Sequence, residues 1–169
     1  EDQRFASRRP DVLVFVTDPL NEDLTLAGPV TADLFVSMTG TDADFIVKLI
    51  DVLPPNTPNP SPNPKQIQMG GLEQLVRAEV FRGKFRESFE KPVPFTPGKV
   101  TEVKYALPDL AHRFLKGHRI MVQVQSTWFP LVDRNPQKFM QTRDAKEADF
   151  IKSTIRVYHE AGRASKIIL

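Results

Sequence analysis

The chain has 169 residues, 23 Lys and Arg against 21 Asp and Glu, and no cysteine. A net charge of +2 is too small for a nucleic-acid footprint, and the lack of Cys excludes disulfides, thiolate metal sites and a Cys nucleophile. No apolar run approaches the roughly 18 residues of a membrane helix, so neither nucleic acid nor membrane is expected as a partner. One domain over 1–169 is expected, long enough to bury about 70% of its unfolded surface without staples. The chain starts at Glu1 without a signal-peptide pattern and reads as a piece of a longer protein.

In chain order, the first strand pattern is at 12–16. Val30, Ala32, Leu34, Val36 and Met38 then alternate with Thr31, Asp33, Phe35, Ser37 and Thr39, which predicts a strand with one apolar face. A third strand is expected at 44–53. Residues 54–64 hold six prolines, which fix φ and remove ladder donors, so they read as a stiff surface loop with little role in stability. The competing reading is a recognition segment for an aromatic groove. Val76, Ala78 and Val80 share a face, and 100–107 is the next strand. Residues 108–114 predict one or two helical turns closed by Gly117. Ile120, Val122 and Val124 form an apolar face opposite Met121, Gln123 and Gln125. Residues 145–152 predict another short helix, and 154–159 and 165–169 are final strands. About eight strands with little helix predict an all-β sandwich or jelly roll.

No nucleophile motif is present. None of the seven serines sits in a G-x-S-x-G elbow. Ser126 and His118 flank one predicted strand, but a strand-end Ser and a turn His explain them better than a dyad. Asp42 and Asp44 read as solvated turn carboxylates, since a calcium loop supplies more ligands in fixed order. Gly70-Gly71 precedes a strand and reads as a turn, not a phosphate loop. No cofactor or metal is expected.

The run from Gly117 to Pro130, GHRIMVQVQSTWFP, followed by Asp133-Arg134-Asn135-Pro136, resembles the late segment of the X-prolyl dipeptidyl peptidase C-terminal domain. That domain is shared with cocaine esterase, α-amino-acid ester hydrolases and glutaryl-7-aminocephalosporanic acid acylases. Asp18-Pro19-Leu20, Leu26 to Val30, Asp42-Ala43-Asp44-Phe45 with Lys48 to Val52, the stretch from Arg77 to Glu87, and Pro97-Gly98 extend the likeness over nearly the whole chain. The resemblance implies a galactose-binding-like jelly roll that packs on an upstream α/β-hydrolase domain of the same parent. In the family the Ser-His-Asp triad lies in that other domain, so no residue here inherits a catalytic role. It implies a serine-hydrolase parent of acyl, ester, amide or X-Pro dipeptide type, with a periplasmic or secreted location favoured for the parent and homo-oligomerisation left open. The alternative is a carbohydrate- or polymer-binding module.

The segment 126–136 supplies the candidate interdomain or cleft-facing residues. A strand ending in Trp128-Phe129-Pro130 leaves two large aromatics at a rim, and Asp133-Arg134-Asn135-Pro136 makes a fixed turn. Trp128, Phe129, Arg134 and Asn135 are therefore assigned to a docking or cleft-facing surface. The alternative packing has Phe129 capping the chain's own core and Arg134 paired with Asp133. The purified chain is expected to hydrolyse an activated ester no faster than buffer. Turnover that a serine-directed covalent inhibitor abolishes would contradict this.

Overall fold

The computed structural model describes residues 2–169. They form two compact units, one from the chain up to Pro29, Val47–Ala78 and Pro108–Gln125, the other from Val30–Ile46, Glu79–Leu107 and Ser126–Leu169. A four-residue helix, α1 (Arg4–Ser7), precedes ten strands: β1 (Leu13–Val16), β2 (Leu24–Met38), β3 (Asp44–Val52), β4 (Glu73–Arg82), β5 (Thr101–Phe114), β6 (Arg119–Gln125), β7 (Ile155–Val157), β8 (His159–Glu160), β9 (Arg163–Ala164) and β10 (Lys166–Ile168). One sheet has the order β1-β6-β3-β4. A second has β10-β2-β5 with β7 also on β2, and β8 and β9 make a hairpin. The fold is an all-β sandwich of antiparallel sheets, as the alternation predicts.

Three local readings change. Residues 108–114 are not helical, because β5 continues through them to Phe114. Pro108 is tolerated because β5 is the edge of its sheet, where a missing N–H breaks no ladder. The buried set steps from Leu107 to Leu110, three residues instead of two, so the alternation changes phase at Pro108-Asp109. Residues 145–152 hold no α-helix. Two short 3₁₀ turns, Thr142–Asp144 and Glu147–Asp149, take that stretch. The third change is at 159–164, where Ala161 and Gly162 make a two-residue hairpin turn. Gly162 has φ +81°, the left-handed region such turns require.

Two strands expected to bury only their apolar face depart from that pattern. On β2 the apolar set from Val30 to Met38 is buried, but so are Asp33 and Ser37. The C-terminal strands explain this: Lys166 lies 3.5 Å from Asp33, and the Ser37 and Tyr158 hydroxyls are 2.9 Å apart. On β6 the burial is inverted, for Met121, Gln123 and Gln125 are more deeply buried than Ile120 and Val122. Phe15 pairs with Val122 and Leu13 with Val124 on the edge strand β1, whose side chains are exposed and leave that face partly open. On the polar side Gln123 donates from Nε2 to Glu73 (3.4 Å).

The segment around α1 belongs to the same polar side. Gln3 accepts from Lys48 Nζ at 2.9 Å, and Ser7 Oγ donates to Glu73 at 3.0 Å. Lys48 is fully buried on β3, and burial pushes its ammonium down to about 8. Burial likewise raises Glu73. The apolar core on β3 and β5 includes Phe45, Val47, Leu49, Val103 and Leu107. Each such side chain contributes about 1.5–3 kcal/mol when fully buried.

The proline-rich loop has a fixed base and an exposed tip, within which Asn59 accepts from Met69 N at 2.9 Å and Asn63 from Ile67 N at 2.8 Å. Pro54 O accepts from Thr57 N (3.1 Å) and Gly71 N (3.2 Å). A Cβ on Gly70 would lie 2.3 Å from Pro55 O, so only glycine fits there. Pro58, Pro60, Pro62 and Pro64 are exposed. Deleting residues 58–64 with a short Gly-Ser closure should change unfolding stability by less than about 1 kcal/mol, since closure entropy grows only with the logarithm of loop length. Gly70→Ala should cost more than the whole deletion. Chemical denaturation of both variants checks the ranking.

Candidate functional site

The segment after β6 builds the most exposed apolar feature among the candidate residues. Trp128 is half-buried, and its carbonyl accepts from Val132 N at 3.1 Å, which curls Phe129, Pro130 and Leu131 into a tip. Phe129 is 64% exposed and Leu131 68%. Arg134 is exposed, with its guanidinium 4.9 Å from the centre of the Phe150 ring and 5.9 Å from that of Phe129. Phe129 therefore does not cap the core. Arg134 sits over two aromatic rings, and Asp133 pairs with Arg82.

Beneath the tip lies a polar cluster from distant parts of the sequence. Asn135 is buried and donates from Nδ2 to Asp44 Oδ1 at 2.8 Å, while its own oxygen accepts from Gln137 N at 2.8 Å. It supports the tip from below and is not part of the tip's surface. Arg82 donates to Thr142 Oγ1 (2.6 Å) and to Asp133, and lies 3.8 Å from Asp44 Oδ2. Lys84 donates to Met140 O (2.7 Å) and lies 3.8 Å from Asp42. Thr41 N donates to Gln137 O, and Phe139 N to Thr41 Oγ1. A Cβ on Gly40 would lie 2.3 Å from Gln137 O, which makes that close backbone approach specific to glycine.

Asp42 and Asp44 are thus buried, not solvated turn residues as the sequence reading held. Burial raises both. Asp44 is pushed up to about 6, chiefly by burial and further by the neighbouring Asp42 and Asp133, against the opposing effects of Asn135 and Arg82. The side chains of Arg82 and Lys84 lie beside these carboxylates. No group of three or more His, Asp or Glu side chains suited to a metal ion occurs among the described residues.

The other titratable cluster is on β3 and in the first unit. Asp51 is buried between two histidines: His112 Nε2 lies 2.9 Å from Oδ2, and His118 Nδ1 2.8 Å from Oδ1. His118 thus has a carboxylate partner, like the base of a triad. Among the described residues, however, no serine hydroxyl is hydrogen-bonded to either ring. The carboxylate ties β3 to the end of β5 and to the turn before β6. Arg119, which opens β6, is also anchored, by donation to Thr17 O at 2.9 Å. Spacing alone could not have paired Asp51 with residues 61 and 67 positions away.

Comparison with known proteins follows the same lines. Residues 3–168 match the family model described as the X-Pro dipeptidyl-peptidase C-terminal non-catalytic domain. Cocaine esterase of Rhodococcus sp. (strain MB1 Bresler) is 36% identical over 134 residues, which are 79% of this chain and 21% of the esterase. The crystal structure of an aminopeptidase from a marine sediment Thaumarchaeota archaeon is 48% identical with a TM-score of 0.91, over 99% of this chain and 26% of that one. An α-amino acid ester hydrolase structure is 45% identical with the same TM-score and the same coverages. The chain therefore spans only about a fifth to a quarter of the length of these relatives.

Asp51→Ala should destabilise the chain by about 3 kcal/mol, because it leaves two half-buried imidazoles without their buried carboxylate partner. Urea unfolding measures this, and an unchanged midpoint would show that the carboxylate does no structural work.

Proposed function

We propose a docking role for this chain, which belongs to the family of X-Pro dipeptidyl-peptidase C-terminal non-catalytic domains: it packs on the catalytic domain of a larger serine hydrolase and helps to shape the substrate cleft. The observation that carries the reading is the tip. Phe129 and Leu131 are held out in solvent by a dense polar scaffold, and an isolated soluble domain gains nothing from that arrangement. Trp128 at the base and Arg134 over the rings are residue types favoured as anchors in protein interfaces. The names of the relatives, an esterase, an aminopeptidase and an amino acid ester hydrolase, support a parent that cleaves ester or amide bonds. Such a parent would acylate its own serine, in its own α/β-hydrolase domain, and then hydrolyse the acyl-enzyme.

A carbohydrate-binding module fits less well. Sugar recognition beside Trp128 would want a free amide or carboxylate there, and the Asn135 amide is committed to Asp44 and to Gln137 N.

In the full-length enzyme, Trp128→Ala and the pair Phe129→Ala with Leu131→Ala should each weaken domain docking by about 2 kcal/mol or more. The expected signs are a lower Tm or a raised KM, with unchanged labelling of the active serine by a covalent inhibitor. A mutant enzyme indistinguishable from its parent would rule the docking surface out.

A further inference from the structure

We infer that the outer edge of β4 receives the stretch of the parent chain that immediately precedes Asp2, which continues the sheet as one more antiparallel strand. The inference rests on the reading above that this chain is the C-terminal part of a longer hydrolase.

The backbone has already begun that strand. β4 ends its sheet, in the order β1-β6-β3-β4, so one side of it faces no other strand among the described residues. Asp2 forms an antiparallel bridge with Gln74, and Gln3 N donates to Glu73 O at 2.8 Å. Leu72 O, by contrast, accepts from Leu53 N, just past the end of β3, at 2.9 Å. Successive carbonyls thus alternate between β3 and the outer side. The same alternation turns the N–H and C=O of Leu75 and Arg77 outward. The bond from Gln3 to Glu73 flanks the bridge, so Asp2 and Gln74 are a non-hydrogen-bonded pair. Every step along β4 past Gln74 is one step back from Asp2. Val76 therefore faces the residue two before Asp2, whose N–H points away from β4. Arg77 faces the residue three before Asp2, and those two exchange hydrogen bonds.

An open edge invites any strand, including one from a second copy. Here the chain's own lead into Asp2 already pairs with the edge and sets the direction. The matched domain is C-terminal and spans only a fifth to a quarter of its relatives, which supplies the upstream chain. The side chains agree. No residue of β4 is fully buried, although Leu75, Val76 and Ala78 are apolar. Arg77, the cation of that stretch, donates from Nε to Asp109 O at 2.7 Å and so does not guard the edge. Val80 N is bonded to Glu79 Oε1 at 2.7 Å, which marks where the open stretch stops. A strand antiparallel to β4 comes in from the Arg82 end. Arg82 donates to Asp133, in the segment that carries Phe129 and Leu131. The linker thus leads the catalytic domain toward the end of β4 where the tip is anchored.

Exchange of the Arg77 amide, read by fragmentation mass spectrometry on the full-length parent enzyme, tests the strand. In the unmodified enzyme that amide should exchange at least roughly tenfold more slowly than an unstructured one. A proline three residues before Asp2 removes the N–H that Arg77 O needs, and should speed Arg77 exchange roughly tenfold. A proline two residues before Asp2, where the N–H points away, should leave it within about twofold. Equal exchange in the two variants overturns the strand, and so does an unprotected Arg77 amide in the unmodified enzyme. Protection that falls on dilution also overturns it and assigns the edge to a second copy. Should a proline variant not fold, the enzyme is compared with the chain that starts at Glu1. Arg77 should exchange at least roughly tenfold faster in that chain, and equal rates overturn the strand. The docking surface fails separately. Silent Trp128 and tip variants beside a clear proline alternation remove docking and keep the strand, and the reverse pattern removes the strand alone.

Discussion

A strand covered on both faces leaves its charges no route to water, and β3 carries three of them: Asp44, Lys48 and Asp51. Each must find a partner within the protein or lose several kcal/mol. Asp44 takes Asn135 and the more distant Arg82, Lys48 takes Gln3, and Asp51 takes His112 and His118. These partners lie in the post-β6 segment, the N-terminal segment, and the strand end and turn around Gly117. Satisfying one strand's charges thereby fixes the placement of the segments that have the least regular structure of their own.

Such clamps favour uniqueness over raw stability. A hydrophobic β3 would bury as much surface without the desolvation penalty, which shows here as the depressed Lys48 and the raised Asp44. What the polar residues supply is direction. A Leu at position 44 would tolerate many placements of the loop above it, whereas a carboxylate that must meet one amide at 2.8 Å tolerates few. The post-β6 segment needs this direction, for it contains two 3₁₀ turns and no strand before β7.

The same economy separates this chain from chemistry. A His-Asp pair exists at His118 and Asp51, but both carboxylate oxygens face imidazoles. The buried Asp44, Lys48 and Asp51 are instead engaged in holding distant segments in place. Phe129 and Leu131, by contrast, keep most of their apolar surface in solvent.

Much of this was legible in the amino acids. Period-2 alternation located the main strands, and proline density placed the loop after β3, because backbone donors and side-chain direction are local properties. The likeness running from Asp18 to Pro136 pointed to the family. Reading failed where a distant segment decided the outcome. Pro108 looked like a helix start, yet the edge of a sheet accepts it. Gln123 looked solvent-facing, yet it is completely buried, near Glu73. Asp42 and Asp44 looked like a wet turn. The sequence by itself determined the all-β class, the lack of a nucleophile elbow and the apolar Trp128-Phe129-Pro130 segment. Only the tertiary structure decided which polar residues are buried and with whom, because a hydrogen bond between positions 44 and 135 depends on a path through space that no local pattern encodes.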